Sequence, residues 1–298
     1  MTRAVLIINP ISGHGAHGRR LAEHIVLASE ALAQSGVDVD VEVTRGPGDG
    51  RRLAAEAVTR GAALVIAWGG DGTINEIGSA LVSTNVPLGI VPAGSGNGLA
   101  RDLGLPADPT QALTIAASGR DRYIDAGAFN DELFFNVAGI GLDARIAERF
   151  ADRGADRRGF GAYLRISARE LWRYQPREYT IVFDDQRIVR TALMITVANS
   201  RQFGNGAQIA PRARLDDGEL DLVVVGGQSL VRVATRIPAL FRGTLADGPG
   251  IVMRRMRTAE ISLPGTLSFH VDGEPRVTRD RVRVTTHSRI LRVRVPAA

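Results

Sequence analysis

Residues 63–82 read ALVIAWGGDGTINEIGSALV, and the architecture follows from how this run divides. Ala63–Trp68 is continuously apolar, the pattern of a strand covered on both faces in a parallel sheet. The GGDGT loop, Gly69–Thr73, interrupts it, and a helix then extends through about Val82. Working outward, the same strand–loop–helix unit recurs. Ala4–Asn9 (AVLIIN) reads as a strand, Pro10–Gly18 as a glycine-rich loop, and about Arg19–Gln34 as a helix. In that helix Leu21, Ile25, Ala28 and Leu32 fall at helical spacing, and Gly36 ends it. Val37–Thr44 alternates as a strand and Asp49–Arg60 is helical. Val86–Val91 is the next strand, followed by PAGSGNG and a short helix near Leu99–Leu103. Strands alternating with helices predict a Rossmann-like α/β domain, with the loops at the strand C-termini gathered along one edge.

Beyond about Tyr123 the texture changes. ELFFNVAGI, EYTIVF, ALMITVAN, ELDLVVV, AEISL, LSFHV and RVRVTT are short apolar or alternating runs separated by turns, which predicts a β-rich sandwich or barrel. Two helical stretches interrupt it, Arg158–Tyr174 and Ser229–Leu245, both mixing arginine with large apolar residues. They read either as packed helices with solvated arginines or as surfaces that touch lipid. The expected domains are 1–123 and 124–298, with the C-terminal end packing back on the first. At 298 residues the length suits two.

Composition removes several chemistries. The chain has no cysteine, and all 37 of its basic residues are arginine. Disulfides, thiol nucleophiles and zinc–thiolate sites are excluded, as are Schiff bases and lysine-dependent phosphate loops. Arginine stays charged and forks onto phosphate or carboxylate, so it serves anions rather than proton transfer. Residues 1–123 hold 10 arginines against 12 carboxylates, a net −2, and residues 124–298 hold 27 against 20, a net +7. The basic character belongs to the second part, which is where a polyanionic surface is expected. No apolar run is long enough to span a membrane and the N-terminus does not read as a signal peptide, so a cytoplasmic protein is expected.

Three glycine-rich loops each follow a strand and open a helix: NPISGHG (9–15), GGDGT (69–73) and GSGNG (94–98). One alone is a tight turn. Three at the C-terminal ends of strands in one sheet converge on a crevice suited to phosphate, because glycine lets backbone N–H groups approach and helix N-termini add positive charge. Gly13, Gly15 and Gly18 also spell the dinucleotide fingerprint G-x-G-x-x-G. However, Asn9–Ser12 separates them from the strand, and the second strand ends in Val43–Thr44 rather than an acid. Asp71 is the more telling residue. A carboxylate inside a phosphate loop repels phosphate, and makes sense if it handles a hydroxyl proton or a magnesium ion.

NPISG, GGDGTINEI and PAGSGNGLARDLGL, in this order and spacing, resemble the diacylglycerol kinase catalytic domain superfamily, which includes bacterial lipid kinases and sphingosine kinases. The resemblance continues through YIDAGAFNDELFFNVAGIGLDA, APRARLDDGELDLVVV and HVDGEP, covering nearly the whole chain. It implies an ATP- and magnesium-dependent lipid kinase, most plausibly converting diacylglycerol to phosphatidic acid. ATP would be bound by Asn9, Pro10, Ser12, Gly13, Thr44, the loop Gly69, Gly70, Asp71, Gly72, Thr73 and Asn75, and the loop Gly94, Ser95, Gly96 and Asn97. Arg101 and Asp125 match further charged positions of the family site. Asp71 would sit beside the transferred phosphate. Asp272 and Glu274 resemble the carboxylates that activate the acceptor, Glu274 being the preferred base. A structural magnesium would be held by Asp217 and main-chain oxygens of Arg214 and Glu219.

Two departures from the family pattern stand out. Gly98 replaces a usual aspartate and His14 a frequent lysine, removing one charge of each sign. A non-catalytic nucleotide- or lipid-binding regulator and a relative of the NAD kinases, which share GGDGT, are the alternatives. The expected partner is a lipid substrate at an anionic membrane surface, with peripheral association, a homodimer left open, and no nucleic acid.

Overall fold

The computed structural model describes residues 2–12, 18–151, 160–227 and 230–297. In chain order the elements are β1 (Thr2–Ile8), α1 (Gly18–Gln34), β2 (Val37–Val43), α2 (Asp49–Thr59), β3 (Leu64–Gly69), α3 (Asp71–Leu81), β4 (Leu88–Pro92), α4 (Gly98–Asp102) and α5 (Pro109–Ser118). Then come β5 (Arg120–Phe129), β6 (Glu132–Phe134), β7 (Val137–Gly141), α6 (Leu142–Ala151), α7 (Phe160–Arg173), β8 (Arg177–Phe183) and β9 (Gln186–Ala198). They are followed by β10 (Gln202–Gly204), β11 (Ala207–Gln208), β12 (Leu220–Gly226), α8 (Leu230–Arg242), β13 (Ile251–Met256), β14 (Thr258–Val271) and β15 (Glu274–Val295). Two compact units emerge, one of residues 1–124 with 289–298 and one of residues 125–288.

In the first unit the strands are parallel in the order β4-β3-β1-β2. The end of β15 adds a further parallel neighbour, Val293 opposite Leu88 of β4. Helices cover both faces, which is why β1 and β3 are almost wholly apolar. Ala4, Leu6 and Ile8 of β1 pack with Leu64, Ile66 and Trp68 of β3 against Ala28 and Leu32 of α1 and Leu113 of α5, while α2 packs on α3 at the opposite face. From β1 the chain turns one way to β2, and from β3 the other way to β4. The order therefore reverses between β1 and β3, and ligands bind outside the strand C-termini at such a switch point. NPISG and GGDGT are the loops that leave those two strands.

The second unit is antiparallel. β7 pairs with β9 and β14, and β8 pairs with the same two strands, so these four close into a small barrel. Closure requires β14 to bend: its first half lies on β8 and its second half on β7, with a register shift between Ser262 and Thr266. β12 and β13 extend the sheet beyond β9. One face carries Phe129, Phe134, Tyr179, Ile181 and Phe269, and the other packs under α6, α7 and α8 around Val137, Ile166 and Val223. α7 and α8 match the two helical interruptions read from the sequence, except that residues 158–159 and 229 of those stretches lie outside the described residues.

Candidate active site

The glycine-rich loops are fastened to one another by side chains of the motifs themselves. Asn9, just past β1, donates from Nδ2 to Thr73 Oγ1 at 2.8 Å, joining the first loop to the second across the switch point. Its Oδ1 accepts from Ile11 N–H at 3.1 Å and its carbonyl from Ser12 N–H at 3.2 Å, fixing Pro10–Ser12 as a turn. The buried Thr44 follows directly on β2, its N–H bonded to Ile8 O at 3.0 Å. The second and third loops meet at glycines. A Cβ on Gly94 would lie 2.7 Å from Gly70 Cα and 2.8 Å from Asn97 Oδ1, and one on Gly69 would strike the Thr73 side chain at 2.5 Å. Only glycine permits this approach.

Asp71 opens α3, and its Oδ2 accepts from Asn97 N–H at 2.9 Å. Asn97 has a left-handed backbone and pins its own loop by exchanging bonds with Gly94 N–H and Gly94 O, both 2.8 Å. So the carboxylate that repels phosphate in isolation spends one oxygen holding the third loop to the second. Gly70 caps α3 without a side-chain hydrogen bond, which leaves the helix N-terminus open to an anion. Arg101 is exposed and its Nε donates to Gly96 O at 3.2 Å. Asn75 lies one turn into α3 and accepts from Ser79 Oγ at 3.5 Å. Gly13 and His14, with the rest of 13–17, lie outside the described residues. One contributor escaped the sequence reading. Glu76, also in the GGDGTINE run, accepts from Gly48 N–H at 2.7 Å and Gly50 N–H at 3.0 Å, tying the start of α2 to α3.

In the second unit the turn Val271–Glu274 joins β14 to β15. Its two carboxylates have opposite situations. Asp272 is buried with a left-handed backbone, and its oxygens accept three main-chain N–H groups: Phe135 at 2.9 Å on Oδ2, Asn136 at 2.9 Å and Val137 at 3.0 Å on Oδ1. It clasps the segment entering β7. Glu274 is exposed, and no described residue hydrogen-bonds or ion-pairs with its carboxylate. Beneath the turn lies a buried pair the sequence did not reveal. His270 Nε2 is 3.0 Å from Asp143 Oδ2, which also accepts from Thr196 Oγ1 at 3.1 Å. His270 Nδ1 faces Gly273 N–H at 3.3 Å. Burial alone would depress His270, but the Asp143 carboxylate, helped by Asp272, outweighs it and holds the imidazole above its ordinary value of 6.5. Gly139 makes room, since a Cβ there would lie 2.1 Å from Asp143 Oδ2.

Asp125 is brought to the LDDG loop of the same unit. It is fully buried, with Oδ2 accepting from Gly218 N–H at 2.6 Å, Oδ1 from Ser288 Oγ at 3.3 Å, and its N–H donating to Leu215 O at 2.6 Å. Arg255 of β13 ion-pairs with Asp217 of that loop and, at 2.7 Å, with Glu219. Asp221, across the ladder from Arg255, is pushed up to about 6 by burial, with Asp217 and Glu219 adding to the rise. No group of three or more His, Asp or Glu side chains among the described residues forms a metal-ligand cluster. The set expected for magnesium, the Asp217 carboxylate with carbonyls of Arg214 and Glu219, is hard-oxygen chemistry that suits it. Arg255 bridges Asp217 and Glu219, Arg257 reaches Glu219 at 3.9 Å, and Arg212 acts on Asp221, so arginines surround the carboxylates that a dication would meet here.

Two family models together match most of the chain. The model of the diacylglycerol kinase catalytic domain matches residues 3–129, and that of the YegS C-terminal NAD kinase beta sandwich-like domain matches residues 136–294. A Klebsiella pneumoniae (strain 342) protein named "Probable lipid kinase YegS-like" is 36% identical over 299 residues, covering 98% of this chain and 96% of that one. A Mycobacterium tuberculosis (strain H37Rv) protein named "Diacylglycerol kinase" is 33% identical over 280 residues, covering 91% and 88%. The crystal structure of a diacylglycerol kinase from Bacillus anthracis str. Sterne superposes with a TM-score of 0.75 at 21% identity, over 99% of this chain and 97% of that one, a likeness of fold.

Proposed function

The chain belongs to the diacylglycerol kinase family and is a lipid kinase, and from that premise we propose that it transfers the γ-phosphoryl group of ATP to a free lipid hydroxyl, that of diacylglycerol, giving phosphatidic acid. The open N-terminus of α3 and the backbone N–H groups of the loops fastened by Asn9, Asp71 and Asn97 receive the phosphates. Such loops need no lysine, which fits a chain that has none. Magnesium accompanying the nucleotide supplies charge neutralisation at the phosphate oxygens. A second magnesium at Asp217, with carbonyls of Arg214 and Glu219, supports the LDDG loop.

The observation that carries the acceptor half is the contrast within the Val271–Glu274 turn. Asp272 has both oxygens committed to main-chain donors, while Glu274 is exposed and uncommitted. Glu274 is therefore the base: it takes the hydroxyl proton as the lipid oxygen attacks phosphorus, and the bond to the ADP oxygen breaks in line. The His270–Asp143 pair beneath positions the turn. The test is transfer from labelled ATP to a panel of lipids and NAD in mixed micelles. Labelled phosphatidic acid is the expected product. Labelling of NAD alone, or ATP binding without transfer to any acceptor, overturns the proposal.

A further inference from the structure

Trp172 is the most exposed large apolar side chain among the described residues, with 77% of its surface in contact with solvent. It sits on α7, whose buried side presents Ile166 and Glu170 to the core. Its solvent side carries Arg165, Arg169 and Arg173, all exposed. At 3.6 residues per turn these three and Trp172 fall within an arc of about 100°. An indole alone would be an aggregation liability. Surrounded by guanidinium groups it has the make-up of an interfacial anchor: an amphipathic ring at headgroup depth, and cations directed at phosphate.

Among the described residues the charges on this arc are uncompensated. The one carboxylate of α7, Glu170, faces inward and is taken by Arg145 at 3.5 Å and Arg149 at 3.9 Å. No described carboxylate pairs with Arg165, Arg169 or Arg173. The positive surface also continues inward. Arg173 and Arg177 join Arg145 and Arg149 in lining a cavity of about 400 Å³, where Glu148 and Glu170 are the only carboxylates among the described lining residues. Four guanidinium groups against two carboxylates leave the cavity cationic. Solvated arginines on an ordinary helix need neither a tryptophan among them nor a basic cavity beside them.

We propose that the Arg165–Arg169–Trp172–Arg173 face of α7 docks the protein on an anionic bilayer, the indole lying among the headgroups and the arginines on lipid phosphates. This rests on the lipid-kinase reading above and adds the surface by which the enzyme reaches its substrate. Charge complementarity selects the occupant: an exposed, unpaired basic arc around one apolar anchor fits a negatively charged lipid surface and not an apolar protein groove.

The chain has two tryptophans. Trp68 is buried and stacked on His24 with ring centroids 4.5 Å apart, so Trp172 is the natural reporter. The full chain is mixed with vesicles of phosphatidylcholine, with or without phosphatidylglycerol. Emission should shift to the blue and iodide quenching should fall only with the anionic vesicles, and W172F should lose both changes. With about a fivefold gain per arginine near an anionic surface, the triple variant R165Q/R169Q/R173Q should bind these vesicles on the order of a hundredfold more weakly. Its transfer rate in neutral detergent micelles should be unchanged. Failure to bind anionic vesicles, or binding that leaves Trp172 open to iodide, overturns the proposal. Absence of transfer in micelles by the unmodified chain strikes the substrate assignment instead, and the vesicle measurement still decides the docking surface.

Discussion

The assignment of the base can be tested by changing the two carboxylates of one turn separately. In Asp272→Asn the amide oxygen can keep the Oδ1 role toward Asn136 and Val137, but the NH2 group then faces the N–H of Phe135, where Oδ2 accepted at 2.9 Å. One charge-assisted bond is lost, a buried donor is left unsatisfied, and two bonds drop from charged to neutral. Hydrogen bonds to charged groups contribute about 1.5–3 kcal/mol and an unsatisfied buried donor costs about 1–3, so about 3 kcal/mol is expected. A unit of this size loses about 2–4 °C of melting temperature per kcal/mol, giving a drop of roughly 10 °C. Glu274→Gln alters an exposed side chain with no described partner, so its stability should stay within about 0.5 kcal/mol of the parent. Its transfer rate should fall by about 10²–10⁴, the usual contribution of a positioned base. Thermal melts and transfer from labelled ATP in micelles, on the same preparations, separate the two effects. If Asp272→Asn melts like the parent yet fails to transfer phosphate, while Glu274→Gln remains active, the reasoning is refuted.

Gly94→Ala places a methyl 2.7 Å from Gly70 Cα, so the two loops must separate; an overpacking cost of about 1–3 kcal/mol and at least a tenfold loss of ATP affinity by calorimetry are expected, and unchanged affinity would count against the loop cradle. His270 is held above 6.5 in the folded chain, so its stabilisation is complete below that pH and lost as pH rises through the raised value. Melts across neutral to alkaline pH should show this decline, and Asp143→Asn should abolish it. Asp221 also titrates high, at about 6, so the folded state binds its proton more tightly and stability should fall as pH rises from about 4 to about 6. Asp221→Asn should remove that dependence and stabilise the neutral protein by about 1–2 kcal/mol, once the shift is discounted for solvent screening. Millimolar magnesium should raise the melting temperature of the parent but not of Asp217→Asn, which reads the metal site without reference to activity.

The parallel half of the fold was legible because a strand buried on both faces has no polar positions to confuse it, and ALVIAW followed by GGDGT permits little else. α5 is absent from the sequence expectations although it carries helix signals: Asp108 accepts from Gln111 N–H at 2.9 Å and Pro109 occupies the first turn. α6 is masked in the sequence by its neighbour, since its start, Leu142–Asp143, follows directly on the glycine-rich strand β7. Within the site, motif residues could be named but not their employment. Nothing local distinguishes Asp272 from Glu274; the difference arises because β14 pairs with β7 and brings residues 135–137 over one of them. The His270–Asp143 pair depends on the same pairing and was invisible for the same reason, although a lone histidine in the apolar run LSFHV was a hint.

The register of β15 has a consequence for biogenesis. Its final residues lie beside β4, where Arg292 and Arg294 bind Asp121 and Gly119 of the first unit. Residues 1–124 leave the ribosome first, but the strand that covers β4 is made only after residues 125–288. Throughout that interval β4 presents an unpaired parallel edge, the kind of surface on which nascent chains stick to one another. The first unit is thus discontinuous in sequence, interrupted by the second. It matures last although it begins first, and this predicts that chaperone dependence resides in the half that looks, by sequence, the more self-sufficient.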